Sequence, residues 1–288
     1  MTLPNFLVIG AAKSGTSSLH HYLRAHPQVF TPKLKEINFF DYDGTHVDVH
    51  HWAKTLEEYA RYFESAGPAI AIGEVTPLYL CSRAAPDNIR RIVPDVRLIA
   101  ILRNPVDRAY SAYLMTRRTG RTTRELRSAF SSKDAGYIKQ GRYAAYLERY
   151  YQRFDRSRIK ILRFEDLKSG SGLLMRDLYQ FLGVDPGFEP PAEVHNKGYV
   201  PRSEWLNRLF HSRFVRRVVK PLLSDGLMQW ARKLRSVNAK RPEQLPVEIR
   251  AELSEFYRND ILHLQDLTGV DFSAWLNESS ARPVVHGR

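Results

Sequence analysis

Three groups of residues in this 288-residue chain have the types and spacing to do chemistry on an anion. The first is Gly10-Ala11-Ala12-Lys13-Ser14-Gly15-Thr16-Ser17-Ser18-Leu19, which follows a short apolar run and leads into a helical pattern. Small residues let backbone N–H groups converge on an anion, hydroxyls add donors, and a helix N-terminus contributes partial positive charge. The second is Leu102-Arg103-Asn104-Pro105-Val106-Asp107-Arg108-Ala109-Tyr110-Ser111. Arg103 leaves a strand end with a guanidinium fork suited to phosphate, and Ser111, two helical turns on, adds a hydroxyl donor. The third holds an acid, Glu36, within Pro32-Lys33-Leu34-Lys35-Glu36-Ile37-Asn38-Phe39-Phe40-Asp41. A surface ion pair with Lys33 or Lys35 is its plain alternative role.

The elements that must position these groups follow from hydrophobic pattern. Runs of Val, Ile and Leu at Phe6–Ile9, Ala69–Ile72, Val96–Leu102 and Ile159–Leu162 read as buried strands. Between them Ser18–Ala25, Leu56–Glu64, Pro86–Ile92, Val106–Arg117 and Tyr143–Phe154 carry apolar residues at helical spacing. Strands alternating with helices predict a three-layer α/β fold, P-loop-like, with a central parallel sheet. From Ser203 onward strand signals vanish, and Glu204–Val219, Leu227–Val237 and Val247–Leu267 predict a helical C-terminal layer. We expect one domain over residues 1–277, with 203–246 a variable basic helical segment that covers the acceptor side, and a loose tail at 278–288.

Composition bounds the function class. With 43% hydrophobic and 26% charged residues the chain can bury a large core. Cys81 is the lone cysteine, so an intrachain disulfide and a cysteine zinc cluster are both excluded. The apolar run from Phe6 to Ala12 is too short for a signal sequence or a membrane span, and a cytoplasmic location is expected. The net charge is +13, and residues 202–241 hold eleven basic against two acidic side chains. Such a field suits an anionic membrane surface, nucleic acid or an acidic substrate equally, or a solvated helix face.

Gly10 and Gly15 keep the spacing of a P-loop, yet Thr16 stands where nucleotide triphosphatases carry lysine, and the lysine comes earlier, at Lys13. A Mg-dependent P-loop phosphotransferase is therefore the second enzymatic reading. A non-catalytic basic protein that binds membrane or nucleic acid through residues 202–241 is the third.

The Gly10–Leu19 loop resembles the 5′-phosphosulfate loop of the sulfotransferase superfamily that uses 3′-phosphoadenosine 5′-phosphosulfate (PAPS), in particular its bacterial members and its heparan sulfate branch. The Leu102–Ser111 stretch is similar to the same family's 3′-phosphate site. His195-Asn196-Lys197-Gly198 looks like its late nucleotide-covering loop, and Gly141-Arg142-Tyr143 like its middle region. The resemblance implies a donor held by Lys13, Ser14, Gly15, Thr16, Ser17, Ser18, Arg103, Ser111, Tyr143, Lys197 and Gly198. It implies no metal, since lysines and backbone dipoles supply the positive charge, and adenosine 3′,5′-bisphosphate as product.

The same resemblance assigns the catalytic parts. Lys13 stabilises the departing phosphate oxygen. Glu36 takes the place of the catalytic carboxylate in the Lys-Glu-x-His-Phe-Phe stretch of the heparan branch, and Asn38 stands where that branch has histidine. His46, His50 and His51 keep a histidine base open as an alternative. Glu74-Val75-Thr76-Pro77-Leu78-Tyr79 resembles the acceptor-side Glu-Lys-Ser/Thr-Pro-x-Tyr segment, with Val75 in the lysine position. Lys33, Asp41, Thr76 and Tyr79 are the expected acceptor contacts. The acceptor itself, a small molecule, lipid or glycan, stays open, and nucleic acid is not expected.

Overall fold

A computed structural model describes residues 1–42, 52–132, 136–190 and 244–277, with two short backbone stretches at 200–201 and 239–240. The basic segment from Arg202, the histidines at 46, 50 and 51, Lys197, Gly198 and the tail lie outside the described residues, apart from that short stretch at 239–240.

Five parallel strands form the central sheet: β1 (Phe6–Gly10), β2 (Val29–Phe30), β3 (Ala71–Val75), β4 (Arg97–Leu102) and β5 (Ile159–Arg163). Their order is β2-β3-β1-β4-β5. β1 pairs with β3 through Phe6 opposite Gly73, and with β4 through Leu7 opposite Leu98. The chain leaves β1 toward one edge, returns through β3, then crosses to β4 on the other side. A sheet wound both ways opens a crevice at the carboxyl ends of the strands where the direction reverses. Here that place is the end of β1 beside the end of β4.

Alternation along the strands makes the layers. Leu7 and Ile9 with Leu98, Ala100 and Leu102 enter one core, while Phe6 and Val8 with Ile99 and Ile101 enter the other. The second core is closed by α1 (Thr16–Ala25) and α9 (Ser171–Leu182). The first is closed by α2 (Leu56–Arg61), α3 (Ala85–Ile92), α4 (Pro105–Arg118), α7 (Tyr143–Tyr151) and the long α10 (Val247–Thr268). Burying both faces explains why the strands read as continuous apolar runs. Short helices complete the set: α5 (Leu126–Phe130), α6 (Gly136–Lys139), α8 (Phe164–Ser169) and α11 (Ser273–Asn277).

Several expected boundaries shift. The strand read at Ala69–Ile72 runs from Ala71 to Val75, so Glu74 ends inside the sheet instead of beyond it. The helix read to Glu64 stops at Arg61, with a separate 3-10 turn at Glu64–Ala66. Edge strand β2 has only two residues, too few for a periodic signal. Val200–Pro201 pairs antiparallel with Ala239–Lys240, so strand structure does occur beyond Ser203. Among the described residues no helix is long and apolar enough to cross a membrane.

Candidate functional site

The loop after β1 turns sharply into α1. Lys13 has φ 72° and Gly15 has φ 86°. Gly15 is the left-handed N-cap residue, and a Cβ there would stand 2.8 Å from the Phe164 ring, so backbone sign and space both demand glycine. α1 has neither a side-chain cap nor an acid in its first turn. Ser14 and Thr16 are buried, Ser18 is half-buried and Ser17 is exposed.

The end of β4 meets this loop. The Arg103 guanidinium donates to the Lys13 carbonyl at 3.3 Å and stacks 4.9 Å over the Phe164 ring. Asn104 then caps α4, its Oδ1 accepting from the Val106 amide at 2.9 Å, and Pro105 occupies the first turn. Ser111 lies half-buried on that helix. Beneath the loop, the Tyr143 hydroxyl donates to the Arg103 carbonyl at 2.9 Å and rests against Ser14. Burial pushes that hydroxyl up to about 12. Tyr143, one of the expected donor contacts, is fully buried and joins the two phosphate-directed segments from below.

Lys13 sits in a crowd of positive charge. Burial lowers its ammonium below the usual lysine range, and Arg118, Arg103 and Lys35 lower it further, with Glu36 opposing them. Three cations thus act on Lys13 from three elements, the end of β4, the end of α4 and the Glu36 segment.

The segment carrying Glu36 is coil hung from the core. The Glu36 amide donates to the Val75 carbonyl at 3.0 Å. Glu36 and Asn38 take φ 66° and 57°, and the Asn38 Nδ2 donates to the Glu36 carbonyl at 2.9 Å. The amides of Phe39 and Phe40 both donate to the Tyr79 hydroxyl, at 2.9 and 3.4 Å. That hydroxyl in turn donates to Glu74 Oε1 at 2.8 Å. Tyr59 donates to the same oxygen at 2.8 Å, and Thr76 Oγ1 donates to Oε2 at 2.8 Å. Burial raises the Glu74 carboxyl and the three hydroxyls pull it back, while Tyr59 and Tyr79 are pushed well above the usual phenol range by burial and by Glu74. A buried carboxylate is tolerated because each of its oxygens is hydrogen-bonded.

Two of the expected acceptor contacts lie in this network. Thr76 and Tyr79 are fully buried and donate their hydroxyls to Glu74, and Tyr79 also holds the Glu36 segment. Asp41 is buried at the end of the same segment. Lys33 is exposed and lines a pocket of about 500 Å³ with Arg24, Thr31, Arg61, Tyr62 and Ser65. The Glu36 side chain is half-exposed.

Sequence reasoning missed three residues. Lys35 reaches Thr16, Ser17 and Glu36 with its ammonium, yet from sequence it was only an ion-pair partner. Its position between loop and acid was invisible because nothing local says that coil folds back onto α1. Arg118 reaches Lys13 from the last position of α4, without any motif signal. Glu74 was visible in its motif, but its burial depended on β3 extending to Val75.

Comparison with known proteins adds relatives. A family model described as a sulfotransferase domain matches residues 3–197. The bifunctional heparan sulfate N-deacetylase/N-sulfotransferase 4 of Mus musculus is 30% identical over 207 residues, 65% of this chain and 23% of that protein. The membrane-associated sulfotransferase kil1 of Dictyostelium discoideum is 37% identical over 116 residues, 39% of this chain and 23% of that protein. The heparan sulfate glucosamine 3-O-sulfotransferase 3B1 of Mus musculus is 30% identical over 190 residues, 63% of this chain and 46% of that protein. This chain thus spans less than half the length of each of these relatives. A crystal structure of a sulfotransferase from Alicyclobacillus acidocaldarius superposes with a TM-score of 0.73 at 27% identity, covering 96% of this chain and 99% of that one.

Proposed function

We propose, for a chain that belongs to the sulfotransferase family, that it transfers a sulfuryl group from PAPS to a hydroxyl or amine of an acceptor. The observation that carries this reading is the cation cluster at the reversal point of the sheet. Lys13, Arg103, Lys35 and Arg118 converge beside an uncapped helix N-terminus, and Glu36 stands at its rim. A doubly phosphorylated nucleotide with a sulfuryl group carries anionic charge that suits such a cluster.

In this reading the loop amides with Ser14, Thr16, Ser17 and Ser18 hold the phosphosulfate end. Arg103, with Ser111, holds the 3′-phosphate. Lys13 faces the bridging oxygen and offsets the charge that develops there as the bond to sulfur breaks. Its lowered affinity for a proton is recovered once an anion arrives. Glu36 accepts the acceptor's proton, its half-exposed carboxylate being held on the rigid Tyr79–Glu74 strut. Positioning the nucleophile in line with sulfur supplies much of the rate.

The acceptor is a small molecule, lipid or glycan. The names of two relatives specify heparan sulfate, on nitrogen in one and on oxygen in the other, so both atom types are open to this chain. Calorimetry with adenosine 3′,5′-bisphosphate tests the donor site, and labelled PAPS offered with a panel of amines, phenols, lipids and glycans tests transfer. Saturable bisphosphate binding with label transfer supports the proposal. A purified chain that binds neither nucleotide would refute it.

A further inference from the structure

Between the loop lysine and the acid lies a second ammonium. Lys35 Nζ donates to Thr16 Oγ1 at 3.1 Å, to Ser17 Oγ at 3.2 Å and to Glu36 Oε1 at 3.2 Å. An ammonium has three N–H donors and no acceptor, so these contacts use all of it. A hydroxyl has one O–H and two lone pairs. With a lone pair of Thr16 and of Ser17 turned to Lys35, their O–H groups point away from the lysine. Both residues begin α1, whose first turn has no side-chain cap and no acid. An anion at this helix end therefore meets hydroxyl protons already aimed outward. On its other side Lys35 holds Oε1 of Glu36 and leaves Oε2 for a proton.

The approach to Lys35 is fixed as well. Buried His20 on α1 is hydrogen-bonded to the Pro32 carbonyl at 3.0 Å, which ties the chain three residues upstream to the same helix. The side chain of Lys35 is 20% exposed against 48% for Glu36, so the lysine is set deeper than the acid.

We infer that Lys35 is a positioning residue for the transfer, turning the Thr16 and Ser17 hydroxyls toward the sulfuryl group and holding Glu36 beside its path. The inference rests on the PAPS-dependent reading above. In the step, the bond from sulfur to the donor's phosphate oxygen breaks and its electron pair stays on that oxygen. A bond forms from the acceptor oxygen or nitrogen to sulfur, and the acceptor proton passes to Glu36. Lys35 keeps its protons throughout. Lys13 acts on the leaving oxygen, whereas Lys35 acts through the Thr16 and Ser17 hydroxyls and through the placement of Glu36. Glu36 is faced by Lys35 beside it and by Lys13 from the loop, with Arg103 and Arg118 around Lys13 and His20 next to Lys35.

The test compares Lys35→Met and Lys35→Arg with the unaltered chain, using two nucleotides that differ only in the sulfuryl group. Calorimetry is expected to show that Lys35→Met weakens PAPS binding at least ten-fold more than it weakens binding of adenosine 3′,5′-bisphosphate. Release of labelled sulfate from PAPS into water at saturating PAPS is expected to fall at least ten-fold in Lys35→Met. Lys35→Arg, which keeps the charge and the N–H donors, is expected to keep most of the PAPS affinity and most of the release rate. If Lys35→Met is not folded by circular dichroism, Lys35→Gln replaces it under the same expectations. PAPS affinity and sulfate release equal to those of the unaltered chain in the folded neutral variant would overturn the inference while leaving the donor site standing. Absence of bisphosphate binding in the unaltered chain would instead overturn the donor reading.

Discussion

The donor cradle and the segment that carries Glu36 meet at Lys35, but they are built differently. The cradle rests on regular elements: β1 delivers the loop, α1 receives it, and β4 delivers Arg103 beside it. The Glu36 segment is coil with two residues at positive φ, and its shape is imposed from below by Tyr79 and Glu74. In the first region local sequence determines geometry. In the second a buried polar network determines it, so a substitution far from the chemistry reaches the base.

The strongest way to separate the two regions is to disable one and watch the other. Glu36→Gln removes the proton acceptor but no donor contact. We expect turnover to fall about 10²–10⁴-fold, the usual worth of a general base, with bisphosphate affinity unchanged in calorimetry. Unchanged turnover would move the base elsewhere. Lys13→Ala strikes the cradle, and removing a group that stabilises developing charge typically costs about 10²–10³-fold in rate. Stopped assays with labelled PAPS at saturating donor read that loss.

A pH experiment probes the contact between the regions. His20 is 9% exposed and its imidazole is lowered to about 4, by burial first and then by Arg24 and Lys35, partly offset by the Pro32 carbonyl. Above pH 6.5 the ring is neutral in folded and unfolded chains alike, so nothing is lost there. Between 6.5 and 4 the unfolded chain binds the proton and the folded chain does not. Stability therefore falls across that window, by up to about 3 kcal/mol from this group. Denaturation at stepped pH is expected to show a shallower fall in His20→Asn, which keeps a polar contact without titrating.

The smallest effect sharpens the idea of a strut. Tyr79→Phe removes the acceptor for the Phe39 amide and one donor to Glu74. We expect a stability loss of about 1–3 kcal/mol, the cost of leaving buried polar groups unsatisfied, with turnover reduced and bisphosphate affinity kept. Equal loss of turnover and affinity would mean that the two regions are not separable.

Legibility in the sequence followed the same divide. Long apolar runs exposed four of the five strands, and the small-residue loop and Arg103 were readable because their neighbours in sequence are also their neighbours in function. Lys35, Arg118 and the burial of Thr76, Tyr79 and Tyr143 were not readable. Each depends on a contact between distant parts of the chain, such as Tyr143 under Arg103 or Tyr79 under Phe39. Two-residue β2 escaped for a plainer reason: it is shorter than one period of any pattern.

The central claim is that Lys13 and Arg103 together hold a doubly phosphorylated adenosine, and calorimetry of adenosine 3′,5′-bisphosphate on Arg103→Ala in the presence of a chelator tests it most directly. The account predicts tight binding to the unaltered chain that survives chelation and weakens about 10–100-fold in the variant, the range for a lost charge-assisted pair. Equal affinity in the two proteins, or binding that disappears when divalent ions are removed, would contradict it.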